Sequence, residues 1–334
     1  MSRAVIDNLT FPAFRRRRDR YVLITPCRDE ARYARTTLQS VAAQTLLPAL
    51  WVVVDDGSTD ATPKILADFE RRLPFLRIVR LADRGDRKLG GGVIDAFYAG
   101  LKTVDLSQFD YLCKLDLDLA LPPRYFQTLV EKMEIDPRLG TCSGKPWFAG
   151  AGGRRISEKC GSENSVGMSK FYRRECFEQI GGFVREVMWD GIDCHRCRML
   201  GWKAASWEGP DLSFQHLRPM GSSHHSWWTG RVRHGRGQYF MGTSPVYMAA
   251  SALFRTTRPP VVLGGAAMLW GYFRSAFRKE KQYADPEFRR FLRGYQLRCL
   301  MHGKRKATIH LNESTLSRWR PARSTPAAVP KKAA

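Results

Sequence analysis

Tyr111-Leu112-Cys113-Lys114-Leu115-Asp116-Leu117-Asp118, running on into Leu119-Ala120-Leu121-Pro122-Pro123, decides how this chain is to be read. Tyr111 to Leu115 is a short, largely apolar run of the kind that forms a buried strand, and two carboxylates follow at i and i+2. On an extended backbone that spacing sends both side chains to one side. A strand that ends in paired carboxylates suits a hard divalent cation. Mg²⁺ or Mn²⁺ takes one or two carboxylates and fills its remaining positions with substrate phosphates. The competing reading of Asp-x-Asp is a strand-end turn whose acids face water, and the flanking sequence has to decide.

Outward from that stretch the chain alternates. Tyr21 to Thr25, Leu50 to Val54 and Leu76 to Leu81 read as further strands. Ala31 to Gln44, Thr62 to Leu73, Gly90 to Leu101 and Pro123 to Met133 read as helices between and after them. Strand alternating with helix predicts an α/β fold, a doubly wound, mostly parallel sheet. Ligands on such sheets lie beyond the carboxyl ends of the strands. Three acid-bearing loops, 26–30, 55–60 and 116–118, should therefore converge on one crevice.

The bulk composition is that of an ordinary globular protein, with 43% hydrophobic and 26% charged residues. Met1 to Thr10 has no apolar core of the kind a signal peptide needs, and the eight Cys are scattered singly apart from Cys194-His195-Arg196-Cys197. Both features point to a reducing, cytoplasmic setting. A formal charge of +23 is the outlier. It calls for something anionic: nucleic acid, an acidic membrane surface or phosphate-bearing substrates.

The acid loops carry a resemblance. Ile24-Thr25-Pro26-Cys27-Arg28-Asp29-Glu30, Ser40-Val41-Ala42-Ala43-Gln44-Thr45, Val52-Val53-Val54-Asp55-Asp56-Gly57-Ser58-Thr59-Asp60 and Leu115-Asp116-Leu117-Asp118 resemble the family 2 glycosyltransferases over roughly residues 20–210. The resemblance implies a GT-A fold, inversion at the anomeric carbon and a nucleotide-sugar donor, UDP-, GDP- or dTDP-linked. It also implies Asp118 as ligand to Mg²⁺ or Mn²⁺, and Asp116 near the ribose or a metal-bound water. Asp56, and after it Asp55, would meet the nucleobase, with Pro26, Arg28 and Glu30 lining the same pocket. The chain departs from the family in having Arg28-Asp29 where Tyr-Asn is commoner. Asp60 also fits a helix cap, which leaves Asp56 free for the base.

Arg84 to Lys88 ahead of Gly90-Gly91-Gly92 offers cations and backbone N–H groups at a helix start, so Lys88 is a candidate diphosphate contact. Trp189-Asp190-Gly191-Ile192-Asp193 is similar to the family's Glu-Asp-x-Asp-Leu, with Trp for Glu and the second Asp displaced by one. Asp190 is then the catalytic base and Asp193 its positional helper. A downstream His often completes the cation site of GT-A enzymes, which makes His216 a candidate ligand, with His224-His225 competing. Cys194 and Cys197, three apart and without a second pair, read as packing positions. The Gln-x-x-Arg-Trp of processive relatives is missing around Arg231, Arg233 and Arg236, which favours single addition.

From Tyr239 the composition changes. Met241 to Phe254 and Val261 to Phe273 are mostly apolar, and residues 255–306 hold thirteen Lys/Arg against three Asp/Glu. A thirteen-residue helix reaches only about 20 Å, short of the ~30 Å hydrocarbon slab. The pattern suits helices lying in an anionic interface. The expected organisation is a basic segment 1–19, a GT-A domain 20–235, a helical, membrane-interfacial region 236–306 and a disordered tail 307–334. The expected function is metal-dependent, inverting transfer of one sugar to a lipid-linked or nascent polysaccharide acceptor at the cytoplasmic face of a membrane. The rivals are a basic nucleic-acid-binding protein and a processive synthase on the same fold. No stacking platform or reading helix accompanies the basic residues, so no nucleic acid is expected.

Overall fold

The computed structural model describes residues 20–83, 85, 91–218, 227–256 and 262–321. The chain opens with β1 (Tyr21–Cys27), α1 (Ala31–Ala42), β2 (Leu50–Asp56), α2 (Thr62–Glu70), β3 (Leu76–Leu81), α3 (Gly91–Leu101) and β4 (Tyr111–Leu115). There follow β5 (Leu119–Ala120), α4 (Tyr125–Ile135), β6 (Leu139–Ala149), β7 (Arg155–Ser157), β8 (Ser169–Arg173), α5 (Arg174–Gln179) and α6 (Trp189–Met199). β9 (Lys203–Trp207) and β10 (Ser213–His216) complete the sheet. The helices α7 (Trp227–Met241), α8 (Pro245–Thr256), α9 (Leu263–Phe277), α10 (Pro286–His302) and α11 (Lys304–Ser314) then close the chain.

The strands form one mixed sheet in the order β3-β2-β1-β4-β8-β6-β10-β5, with β7 and β9 paired to β6. β3, β2, β1 and β4 run parallel, as the alternating pattern predicts. The direction changes at β8, which lies antiparallel to both β4 and β6. Successive side chains of β1 feed opposite faces, as a pleated strand requires. Tyr21 and Leu23 join a core with α1, α2 and α4, while Val22 and Ile24 join one with α3, α5 and α6.

The helical region begins earlier than the sequence suggests, because the boundary expected at 235/236 falls inside α7. There the backbones of α7 and α9 approach closely. A Cβ at Gly235 would come within 1.9 Å of the Met268 carbonyl oxygen, and one at Gly271 within 2.0 Å of that of Val232. The expected tail from 307 is a correction as well. Residues up to Ser314 are helix, because Ala307, Thr308 and Leu311 share one face that packs on Tyr295 and Cys299 of α10. No helix among the described residues is long and apolar enough to cross a membrane. Segment 1–19 and the last thirteen residues lie outside the described residues.

Candidate active site

The carboxyl ends of β1, β2 and β4 meet at one edge, and hydrogen bonds lock their loops together. Asp29, at φ 55°, accepts from the Thr59 amide at 2.8 Å and donates its own amide to Ser58 Oγ at 2.9 Å. The Asp60 carboxylate accepts from the Ala31 amide at 3.0 Å and the Thr62 amide at 2.8 Å, so it ties the starts of α1 and α2. The cap itself falls on Ala61, one residue later than the sequence suggests. Burial pushes the Asp60 carboxyl up, but the Thr62 and Ala31 hydrogen bonds hold it below the usual carboxylate range. Gly57, at φ 72°, lies against Asp83, and a Cβ there would meet the Asp83 Cα at 2.5 Å. Asp55 is buried and accepts from the Ser58 amide at 2.9 Å.

Arg28 clamps these loops. Its guanidinium donates to the Asp56 carbonyl at 3.0 Å and to Asp83 Oδ1 at 2.8 Å. Pro26 is buried inside β1 beside Val54, so the residues that reach the crevice begin after Cys27. Asp56 ends β2 and is half-buried. Lys88 lies outside the described residues, as do His224 and His225.

The densest cluster surrounds Asp118. Its Oδ2 accepts from Arg218 Nε at 2.6 Å and lies 3.4 Å from His216 Nε2. The opposite ring nitrogen of His216, Nδ1, sits 3.0 Å from Glu158 Oε1. Arg218 reaches on to Glu30 Oε1 at 2.7 Å, with its guanidinium 5.6 Å from the centre of the Tyr33 ring. Asp118 Oδ1 is buried and has no hydrogen-bond partner among the described residues. β10 explains the meeting: His216 pairs with Leu119 of β5, one residue past Asp118, and the Leu217 amide donates to the Asp118 carbonyl at 2.9 Å. Burial lowers the His216 pKa, but Asp118 and Glu158 outweigh it and hold the ring at about 9. Burial likewise raises the Asp118 carboxyl, and His216 and Arg218 overcome that to hold it low.

These donors fit a hard cation. An orphaned carboxylate oxygen stands beside an imidazole whose other nitrogen faces a carboxylate, the arrangement that fixes a ligating tautomer. No group of three or more His, Cys, Asp or Glu among the described residues is arranged to hold a metal by itself. Protein ligands would thus number two, Asp118 and His216, with substrate oxygens and water for the rest, as Mg²⁺ and Mn²⁺ accept.

Asp116 is about a third exposed (31%) and pairs with Lys114 Nζ. Lys114 also donates to the Gly167 carbonyl at 3.1 Å, and the Asp116 amide to that of Met168 at 2.8 Å. Asp190 packs on the other side of the same loop: a Cβ at Gly167 would lie 2.9 Å from Asp190 Oδ2. The Gly167–Met168 loop thus touches both Asp116 and Asp190. The Asp190 side chain, at the start of α6, is half-exposed and makes no hydrogen bond among the described residues.

Asp193 is elsewhere. It is 1% exposed, pairs with Lys170 and accepts from the Tyr172 hydroxyl, so it cannot touch a substrate. Lys170 Nζ also donates to the Asp190 carbonyl at 2.8 Å, which makes the pair an internal brace for the first turn of α6. Trp189, where the family has Glu, lies between two cations, with Lys114 Nζ 5.2 Å and Lys170 Nζ 5.6 Å from its ring centre. Cys194 and Cys197 are buried packing residues. Glu158 and Arg218 escaped sequence reasoning, Glu158 because no spacing relates it to His216. Arg218 carried one usable signal, a cation two residues after a candidate ligand.

An α/β sheet of this order, with carboxylates gathered beyond its parallel strands and an antiparallel second half, has the GT-A architecture. Residues 22–186 match the model of glycosyl transferase family 2, just under half of the chain. Asp190, His216 and Arg218 lie beyond that match. A poly-beta-1,6-N-acetyl-D-glucosamine synthase of Staphylococcus epidermidis is 25% identical over 120 residues, 36% of this chain. The match spans only 27% of that relative's length. Among solved structures, GalNAc-T7 with UDP, GalNAc and Mn²⁺ superposes with a TM-score of 0.53 at 15% identity, over 85% of this chain and 57% of that one. A mannosyltransferase of Pyrobaculum calidifontis, solved with GDP-Man and Mn²⁺, gives 0.49 at 19% identity, over 90% and 86%.

Proposed function

We propose that the chain is a metal-dependent, inverting glycosyltransferase that moves one sugar from a nucleotide diphosphate sugar to a glycan or lipid-linked acceptor in surface polysaccharide synthesis. The observation that carries this reading is the Asp118–His216 pair, 3.4 Å apart, with an unsatisfied Asp118 oxygen and Glu158 behind the ring. The presence of UDP and Mn²⁺ in the GalNAc-T7 structure supports the same choice of ligands.

A bound Mn²⁺ or Mg²⁺ would supply Lewis-acid neutralisation of the departing diphosphate. The protein's own groups do the rest. Arg218 carries a planar, permanent cation to the mouth of the crevice, suited to bidentate contact with phosphate. Asp56 and Glu30 present acceptors to the base and ribose. Asp190, whose carboxylate makes no hydrogen bond among the described residues, accepts the proton of the acceptor hydroxyl as that oxygen attacks the anomeric carbon.

Membrane association belongs to this proposal. Val246 and Leu253 on α8 expose 69% and 71% of their surface, and on α9 Leu263, Trp270 and Phe277 expose 52%, 58% and 83%. Along α9 these recur seven apart, one stripe of a helix whose neighbours are Arg274, Arg278 and Lys279. Apolar side chains beside cations fit the interface of an anionic, cytoplasm-facing leaflet.

The test is release of nucleotide from UDP-, GDP- and dTDP-linked sugars by the purified chain, with Mn²⁺ and with a chelator. Release from one donor that stops on chelation supports the reading. Release that persists in the chelator contradicts metal dependence. A second reading, a processive synthase, is favoured by the synthase named among the relatives. Product length separates the two: a ladder of long glycans would displace single addition.

A further inference from the structure

Arg218 holds two carboxylates that arrive from different loops. Its Nε lies 2.6 Å from Asp118 Oδ2, beyond β4, and its Nη2 donates to Glu30 Oε1, beyond β1, at 2.7 Å. The guanidinium also lies 5.6 Å from the centre of the Tyr33 ring. Its backbone is fixed close by, because the Leu217 amide, one residue earlier, donates to the Asp118 carbonyl at 2.9 Å. The Asp118 and Glu30 side chains are only 4% and 5% exposed, whereas that of Arg218 is 23% exposed. The cation is thus the member of the trio that solvent reaches.

Asp118 Oδ2 is also the oxygen that His216 Nε2 approaches, at 3.4 Å. A divalent cation held by Asp118 and His216 would share that oxygen with Arg218 or stand beside a guanidinium that repels it. Arg218 cannot relieve the repulsion by losing its proton, since a guanidinium stays charged in proteins. It can relieve it by turning onto another anion, and a diphosphate offers one, because guanidinium forks match phosphate oxygens as well as carboxylates. The two buried carboxylates still need counter-charge, which the metal then supplies in place of Arg218.

We infer that Arg218 is a resident counter-ion of Asp118 and Glu30 that a divalent cation has to displace, so that metal binds tightly only together with a nucleotide diphosphate, a coupling that rests on the metal-dependent reading of Asp118 and His216. Arg218 is then a positioning residue that links two ligands, and not a phosphate contact alone. Linkage makes the effect reciprocal: the factor by which nucleotide raises metal affinity is the factor by which metal raises nucleotide affinity.

The experiment titrates Mn²⁺ into the full chain, alone and with saturating UDP or GDP, and reads free Mn²⁺ by electron paramagnetic resonance. It compares the parent with Arg218→Met and Arg218→Gln at one pH. Without nucleotide, both variants should bind Mn²⁺ at least about tenfold more tightly than the parent, a coupling of ordinary size. Nucleotide should raise Mn²⁺ affinity far more in the parent than in either variant. Mn²⁺ affinity without nucleotide that is unchanged in the variants would leave Arg218 a phosphate contact and overturn the proposal. Weakened affinity would make it a support of the ligand set and overturn the proposal as well. Either result, with nucleotide-dependent Mn²⁺ binding intact in the parent, leaves the metal-dependent reading standing. Failure of all three proteins to bind Mn²⁺, with or without nucleotide, overturns both. Thermal unfolding of each variant confirms that a change in affinity is not a change of fold.

Discussion

Lys170 and Asp193 face each other inside the protein with side-chain exposures of 0% and 1%, and the same ammonium group holds the carbonyl of Asp190. A buried pair of this kind does little for stability against an apolar replacement, but removing one partner strands the other charge. Lys170→Met should therefore cost about 3–5 kcal/mol in denaturant unfolding. K170M/D193L should recover most of that loss. A single variant as stable as the parent would show that the two groups are not a charged pair.

As the proposed base, Asp190 would act on the acceptor proton and not on the donor. Asp190→Asn should lower transfer by at least about a hundredfold, the scale of a lost general base. Its affinity for UDP or GDP in the presence of Mn²⁺ should be unchanged. Loss of nucleotide binding in that variant would assign Asp190 to the donor site instead.

Glu158 and pH bear on the same ring. With its pKa raised to about 9, His216 is protonated in the metal-free protein at neutral pH. The pairing with Asp118 and Glu158 then stabilises the fold fully below pH 6.5, the ordinary His value, and is lost as pH rises through about 9. A metal takes the neutral ring and releases its proton, so Mn²⁺ affinity should rise with pH up to about 9, by at most about tenfold per unit. Glu158→Gln should weaken Mn²⁺ binding by about 10–100-fold through loss of ring orientation. Affinity that is flat across this range would remove His216 from the ligand set.

The apolar stripe on α8 and α9 makes a separate prediction. W270E/F277E should abolish flotation with vesicles of phosphatidylcholine and phosphatidylglycerol while leaving nucleotide release from a soluble donor within about twofold, since surface changes away from a site are usually mild. Unchanged flotation would move the membrane contact elsewhere or remove it.

The first half of the fold was legible because its strands are short runs dominated by apolar and β-branched residues. Tyr111–Leu115 and Leu76–Leu81 form over the very residues that the pattern marks. β6 was not legible: Gly140, Gly144 and Pro146 interrupt it, and such residues are depleted in strands. They are tolerated because tertiary packing requires them, as at Gly144, where a Cβ would meet the Leu212 carbonyl oxygen at 1.7 Å. α11 was missed for a different reason. Its polar outer face hides a narrow apolar one that only α10 reveals.

In the site, Asp116 and Asp118 announce themselves by spacing, and so do the acids of the β1 and β2 loops. The sequence made Asp193 a helper beside Asp190, and only burial shows that it is sealed against Lys170 instead. Glu158 follows β7, and it reaches His216 only because β6 pairs with both β7 and β10. Such contacts follow from sheet topology, which local periodicity does not encode.

On the proposed function, Asp118 grips a divalent cation on which nucleotide binding depends. Calorimetric titration of UDP and GDP, with and without Mn²⁺, into the parent chain and Asp118→Asn tests it most directly. The expected result is Mn²⁺-dependent binding of one nucleotide by the parent, weakened at least about a hundredfold in the variant, the upper end of losses at metal sites. Equal, Mn²⁺-dependent binding by Asp118→Asn would contradict it.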